Sequence, residues 1–338
     1  MTVGCRVLLI GDHWPTDVAG GLPRYMAELT TALAAKGVIA RALVSGPAFD
    51  APAGVVAGGS DGMSLPSRMA RTWWASRRVT NDVDLLDVHF APYALLPLYV
   101  GAGRRRRVVV HFHGPWAEEG RVAGSSRFSC FSKRMIERLV YRKAIRLITE
   151  SEAFADVAST KYGIERRRIV VRRPAVDLDT FSPGDPVAAR AQLGLPAGVP
   201  IVLCVRRLVD RMGIDVLLKA WADVRCAVTE AQLVIVGTGP RRRRLEEQAD
   251  DLGVGPSVSF LGAVSPADLV AAYRAADVSV VPSTALEGFG LVVLESLACG
   301  TPVIGTDVGG LAEAVGAFDP HLVVPAGDVA ALAAGLVA

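Results

Sequence analysis

The stretch Val278-Ser279-Val280-Val281-Pro282-Ser283, followed after three residues by Glu287-Gly288-Phe289-Gly290-Leu291-Val292-Val293-Leu294-Glu295, decides the fold. A short buried strand reaches a turn, and two glycines then open a helix that reads on to Gly300. Glycines at a helix start let the backbone approach an anion closely. The free N–H groups and the helix dipole favour a diphosphate there. Glu295 lies four residues after Leu291, on the same helical face one turn further in. A carboxylate in that position can accept hydrogen bonds from the two hydroxyls of a ribose. Glu287 precedes the helix, where a sugar carried by the diphosphate would lie. The plainer alternative is a helix with acidic residues near its positive end. It accounts for Glu287 and Gly290 but not for the whole arrangement. The donor-binding set read from this segment is Gly288, Phe289, Gly290, Leu291 and Glu295.

The same strand-then-helix unit recurs along the chain. Apolar runs near 6–10, 38–44, 84–90, 107–112, 145–149 and 168–172 alternate with amphipathic segments. A second series follows near 200–205, 232–236, 257–261, 278–282 and 302–304. Such alternation predicts βαβ units and parallel sheets. Leu22 to Lys36 has helical spacing and stops at Gly37, a C-cap signal. With 338 residues, two domains are expected: 1–174, a linker at 175–199 rich in Pro, Gly and Asp, and 200–338. Two doubly wound halves joined by one linker predict a ligand cleft between the carboxyl ends of their sheets.

Composition narrows the function. Net charge is +3, which argues against a nucleic-acid partner. The most apolar uncharged run, Phe90 to Gly103, carries two prolines and is too short to span a bilayer. No signal-peptide pattern precedes Val7-Leu8-Leu9-Ile10. Five cysteines without CxxC spacing read as reduced thiols, and the expected location is the cytoplasm. Lysine occurs only at 36, 133, 143, 161 and 219, and the other basic residues are arginine, which suits bidentate phosphate contacts. A G+C-rich genome is the plainer reason for most of them.

The segment from Glu287 to Glu295 resembles the E-x7-E element of the retaining glycosyltransferases of family 4, which have the GT-B fold. The resemblance extends over Gly20-Gly21-Leu22-Pro23-Arg24, Val110-His111-Phe112-His113-Gly114-Pro115-Trp116 and Val176-Asp177-Leu178-Asp179-Thr180-Phe181. It continues through Val236-Gly237-Thr238-Gly239-Pro240, Phe260-Leu261-Gly262 and Cys299-Gly300-Thr301-Pro302-Val303-Ile304. It implies an α/β chain of two Rossmann-like domains facing a cleft. It also implies transfer from a nucleotide-diphosphate sugar, such as a UDP-sugar, with retention. The donor would bind the C-terminal domain, and a small-molecule, lipid-linked or glycan acceptor the N-terminal one.

Several residues take roles from this resemblance. Gly20 and Gly21 would face the donor diphosphate; by spacing alone they form a tight βα turn. Gly237 and Gly239 would lie beside the donor, and the backbone near Val264 would contact the base. Taken alone, Gly237-Thr238-Gly239 starts a dinucleotide fingerprint, but the third glycine and the acidic residue after the next strand are missing, which argues against NAD. Arg207 matches the family's pyrophosphate arginine. The lysine expected a few residues on is Met212, and Arg211 beside it can supply the charge. Arg206 joins the donor-binding set, although a solvated surface arginine is a fair reading for one of the three. A departing diphosphate gains charge and must be neutralised.

His111 and His113 end a strand and point to one face, and His89 ends another strand candidate. Three imidazoles permit a zinc site, and a satisfied polar residue at a strand end is the plainer reading for each. The resemblance makes His113 the active-site histidine that contacts the transferred sugar. That reading is preferred for His113, and the plain one for His89. The catalytic set is therefore His113, Glu287, Arg207 and Arg211, with no metal and no cofactor. Asp82-Val83-Asp84 and Asp177-Leu178-Asp179 fit D-x-D only by chance and are read as structural.

A basic helix over Lys133 to Arg146, with the Arg104–Arg107 tract, permits docking at an anionic inner-membrane face. A solvated helix face is preferred. A phosphorylase of similar fold would need a Schiff-base lysine, and the C-terminal half has only Lys219, within a helix pattern. A non-catalytic nucleotide-sugar binding protein stays as the alternative. The chain stops at Ala338, inside a helix beginning near Asp328, which reads as a truncated or short C-terminal end compared with the family.

Overall fold

The computed structural model describes residues 4–15, 21–48, 51–60 and 62–338. It divides into two compact units, Met1–Arg172 and Arg173–Ala338. The first unit contains β1 (Arg6–Gly11), β2 (Ile39–Val44), β3 (Val55–Ala57), β4 (Leu85–Val88), β5 (Arg107–Phe112), β6 (Arg146–Thr149) and β7 (Ile169–Val171). They form one sheet in the order β3-β2-β1-β4-β5-β6-β7, with every pair parallel. The second unit contains β8 (Ile201–Val205), β9 (Gln232–Val236), β10 (Val258–Gly262), β11 (Val278–Val281), β12 (Val303–Thr306) and β13 (Val323–Val324). Its order is β10-β9-β8-β11-β12-β13, again all parallel. Both are doubly wound sheets of the Rossmann type.

Period-two alternation fills both faces of each sheet. In β1, Leu8 and Ile10 pack with Leu86, Val110 and Phe112, while Val7 and Leu9 pack with Trp14, Met26 and Val44. In β8, Val202 and Cys204 join the core around Trp221, while Ile201 and Leu203 face the core around Tyr273. Burial on both faces is why these strands read as unbroken apolar runs. Each fully buried Leu or Ile contributes about 1.5–3 kcal/mol. In each sheet the winding reverses at one place, between β1 and β4 and between β8 and β11. The carboxyl ends beside such a reversal form the ligand crevice of doubly wound sheets.

Some boundaries differ from the sequence reading. β3 and β13 are edge strands of three and two residues, too short for a periodic signal. The segment read as a linker holds the helix Pro186–Gln192, started by Asp185, whose side chain accepts the Val187 N–H at 2.9 Å. Ala189 packs on Ala271 and Ala275, so this stretch belongs to the second unit. The basic helix runs Arg127–Lys143 from a Ser126 cap, and Arg146 opens β6 instead. The helix after Gly290 is Leu291–Ala298. Among the described residues, no helix is long and apolar enough to cross a membrane.

Candidate active site

In the second unit the site grows from the carboxyl ends of β8 and β11. β8 ends at Val205, and Arg206 follows it into the interior with only 9% exposure. Its Nη2 donates to Ser283 Oγ and to Glu287 Oε2. Ser283 Oγ lies 3.1 Å from the same carboxylate oxygen and donates to it. Burial alone would raise the Glu287 carboxyl. The charges of Arg206 and Arg211 outweigh it and hold Glu287 below the usual carboxylate range. The loop carrying Glu287 is pinned through its backbone. The Thr284 N–H donates to Arg211 O at 2.9 Å, and Arg211 Nη1 donates to Leu286 O at 2.9 Å. The Gly310 N–H donates to Glu287 O at 3.0 Å. Leu286 has a φ of 56°, a strained value for a residue with a side chain. At Gly309 a Cβ would stand 2.3 Å from Glu287 O, so only glycine fits behind this loop.

The other donor-site candidates are placed less uniformly. Gly290, with a φ of 89°, caps the helix whose first residue is Leu291. The Phe289 ring is buried with Val281, Val293 and Leu311, so only its backbone remains for a donor contact. Glu295 is buried, and Tyr273 Oη donates to its Oε2 at 2.8 Å. Gly237 has a φ of 135°, and a Cβ there would meet Arg206 O at 2.0 Å. Close backbone approach therefore already requires this glycine. Val264 lies half-buried against the core around Tyr273. Met212 is buried in the core and carries no charge to the site. Arg207 is exposed and makes no side-chain hydrogen bond or ion pair among the described residues.

In the first unit the sheet register assembles the histidines. Val88 of β4 pairs with Val110 of β5, which brings His89 beside His111. Phe112 pairs with Thr149 of β6, which brings His113 beside Glu150. The His89 and His111 rings stack with centroids 4.4 Å apart. His89 Nδ1 lies 3.1 Å from His113 Nε2, and His113 Nδ1 lies 2.7 Å from Glu150 Oε1. Below them Asp87 reaches His111 Nε2 at 3.2 Å and His89 Nε2 at 3.8 Å. Tyr25 Oη sits 3.3 Å from His111 Nδ1. Burial lowers the His89 imidazole to about 4 against the pull of Asp87. For Asp87, burial opposes ionisation, but His111 and His89 hold it well below the usual range. Burial, Asp87 and Glu150 push Tyr25 up to about 12. The three imidazoles place one ligand atom each within 4.8 Å of one another, a grouping that could hold a metal ion. Hydrogen bonds link His89 to His113, His113 to Glu150 and Tyr25 to His111, while His89 Nε2 and Asp87 Oδ1 are buried without a hydrogen-bond partner. His89, read from sequence as a satisfied polar residue at a strand end, is bonded to the candidate active-site histidine.

Residues 19–180 match the family described as Glycosyltransferase Family 4, and residues 187–337 match Glycosyl transferases group 1. Over 98% of its length the chain is 34% identical to a D-inositol 3-phosphate glycosyltransferase of Acidothermus cellulolyticus, covering 82% of that relative. The chain belongs to the family 4 glycosyltransferases. It is also 43% identical, over 53% of its length, to the protein of the same name from Mycobacterium sp. (strain JLS); that match spans 41% of the relative, about two fifths. Sucrose-phosphate synthase from Thermosynechococcus elongatus superposes with a TM-score of 0.83 at 26% identity, covering 98% of this chain and 88% of that one. The two Rossmann-like units of this glycosyltransferase family member have the GT-B fold.

Several residues around the site of this family 4 member escaped the sequence reading. Glu150 and Tyr25 reach the histidines from other elements, with no local pattern to mark them, while Asp87 on β4 stands two residues before His89, a period-two pair that the sequence reading passed over. Glu137 lies fully buried inside the basic helix. Its carboxylate accepts the Trp116 and Ala117 N–H groups, 2.8 and 3.2 Å away, just past His113. A lone glutamate within such a basic helix was the available signal. Gly20 lies outside the described residues, and Gly21 is the first residue of the helix Gly21–Ala35. The Asp177 carboxylate is used locally, accepting the Asp179 N–H at 3.0 Å and the Thr180 hydroxyl at 2.6 Å.

Proposed function

We propose that this chain transfers a glycosyl group from a nucleotide-diphosphate sugar to an acceptor hydroxyl, with retention at the anomeric carbon. The observation that carries the reading is Glu287, 13% exposed at the β8–β11 reversal, held by Arg206 and Ser283, and set just ahead of the helix that Gly290 opens. The second unit binds the donor. The diphosphate rests at the amino end of Leu291–Ala298, where backbone N–H groups and the helix dipole stabilise its charge. As the bond to the anomeric carbon breaks, charge builds on the diphosphate. The exposed Arg207 and the Arg211 guanidinium neutralise it. Glu287 meets the sugar hydroxyls, and Glu295 meets the ribose. His113 of the first unit contacts the transferred sugar, with its Nδ1 oriented by Glu150.

The acceptor class follows from the relatives' name. D-inositol 3-phosphate glycosyltransferases suggest a phosphorylated polyol as the first acceptor to try. Against a non-catalytic binding protein stands the presence of Glu287, Glu295 and His113 together, and donor hydrolysis without acceptor distinguishes the two. The test is a donor panel of UDP-, GDP- and ADP-sugars, read by thermal shift and then by transfer to inositol 3-phosphate. At a hundred times its Kd the true donor stabilises by about 2.7 kcal/mol. A panel with no shift and no transfer sinks the reading.

The first unit also suggests peripheral contact with an anionic membrane. Phe128, Phe131 and Met135 are exposed at 80%, 63% and 38%, along one stripe of the helix Arg127–Lys143. Arg127, Arg138 and Arg142 lie on the same helix. Apolar side chains beside basic ones are the surface that an anionic bilayer interface attracts.

A further inference from the structure

We propose that Arg206 is a positioning residue: it aims the Glu287 carboxylate at the donor sugar and does not itself bind the diphosphate. The proposal rests on the glycosyl-transfer reading above. Arg206 follows β8 inward, and its side chain is 7% exposed. One nitrogen, Nη2, serves both Ser283 Oγ and Glu287 Oε2. The Ser283 hydroxyl, itself fully buried, closes the triangle by donating to Oε2 at 3.1 Å. Oε2 is therefore fixed by two donors, and Oε1 is the oxygen left to accept from a ligand hydroxyl. Gly290 lies beside that oxygen: a Cβ there would stand 4.0 Å from Oε1, an ordinary contact distance.

The arrangement is poorly explained as a stabilising device. Arg206 Nε is buried with no hydrogen-bond partner, and an unpaired buried donor destabilises a fold. Buried ion pairs in general return little net stability against an apolar replacement. What Arg206 does secure is the direction and charge of one carboxylate, on a loop whose carbonyls are tied by Arg211 and Gly310. Removing the neighbouring positive charge would let burial push Glu287 toward its protonated form, in which one oxygen carries a proton and donates. Arg207, exposed beside it, remains for the phosphates.

The experiment compares the wild-type chain with Arg206→Gln, Arg206→Lys and Ser283→Ala. It measures donor turnover against pH and the binding of UDP, GDP and ADP by calorimetry, with far-UV circular dichroism to verify folding. For Arg206→Gln, kcat should fall about a hundredfold, the loss expected when a reacting group is misplaced by roughly 1 Å. The acid limb of its kcat profile should move to higher pH. Nucleoside-diphosphate Kd should not change. Arg206→Lys should restore the acid limb and part of kcat, and Ser283→Ala should move the limb less than Arg206→Gln does. Weakened diphosphate binding with an unmoved acid limb would overturn the proposal and make Arg206 a phosphate ligand. Wild-type kcat in Arg206→Gln would overturn it too. A misfolded Arg206→Gln leaves the decision to Ser283→Ala, where an unmoved limb refutes the proposal. An inactive wild-type chain overturns the transfer reading as well, so the two failures are distinguishable.

Discussion

Glu137→Gln tests how the backbone just past His113 is held. Glu137 Oε1 accepts the Trp116 N–H at 2.8 Å and the Tyr141 hydroxyl at 3.2 Å. Oε2 accepts the Ala117 N–H at 3.2 Å and the Tyr162 hydroxyl at 2.8 Å. An amide has one accepting end and one donating end. Whichever way Gln turns, its NH₂ meets one backbone N–H and one tyrosine hydroxyl. The hydroxyl can rotate and accept, but the backbone N–H cannot, so one buried donor is left unpaired at a cost of about 1–3 kcal/mol. The carboxyl carries a cost of its own. Burial, opposed by the four hydrogen bonds, pushes it from 4.5 up to about 7. A folded-state value raised above the unfolded one gives stability that is complete below pH 4.5 and is lost as the pH rises through 7. At about 1.4 kcal/mol per pH unit, the loss is about 3 kcal/mol by about pH 8. Gln has no such dependence.

Glu137→Gln should therefore be less stable than wild type at about pH 5, and equal or more stable by about pH 8. Urea unfolding followed by tryptophan fluorescence at each pH reads this directly. Trp14, Trp73, Trp74 and Trp116 lie in the first unit and only Trp221 in the second. His89, lowered to about 4, loses stability as the pH falls, but it does so in both proteins and cancels in the difference. A difference that stays constant or grows with pH would show that Glu137 is ionised in the fold, and would refute the reasoning.

Three further outcomes are expected. Glu295→Ala should raise the donor KM with little change in kcat, because a ribose contact is equally strong in the ground and transition states, while Glu287→Ala should mainly lower kcat; steady-state kinetics that reverse this order would reverse the donor's placement. Transfer should survive EDTA, and His113→Ala should lose transfer yet keep nucleotide binding; full loss in EDTA restored by Zn²⁺ would instead make the histidine cluster a metal site. Replacing both Phe128 and Phe131 by Ser should abolish co-sedimentation with vesicles containing phosphatidylglycerol and leave the unfolding midpoint unchanged; wild-type protein that ignores such vesicles defeats the membrane reading.

The fold was legible because both sheets bury two faces. Runs such as Val7 to Ile10 and Leu233 to Val236 are apolar throughout only when helices cover each side, and all the runs read from the sequence mark strands in the structure. β3 and β13 were not legible because their pairing is supplied by the neighbouring strand, not by a pattern of their own. The helix Pro186–Gln192 was legible in principle, from Asp185 followed by Pro186, but the surrounding Pro and Gly residues carried the linker reading. The site divides in the same way. The glycines and glutamates from Glu287 to Glu295 lie within one motif, and Asp87 stands two residues before His89, whereas Glu150 and Tyr25 reach the histidines from other elements of the first unit.

Arg206 and Arg207 show where strand periodicity stops being enough. Period two puts Val202, Cys204 and Arg206 in one series and Leu203, Val205 and Arg207 in the other. In a sheet covered on one side, that parity would have named the inward arginine. β8 is covered on both sides, so both series run through apolar cores, and parity alone leaves the two arginines equivalent. What separates them is a carboxylate 81 residues further along the chain. Glu287 draws Arg206 inward and leaves Arg207 exposed, so the choice between two adjacent arginines is made by tertiary pairing and not by any local preference.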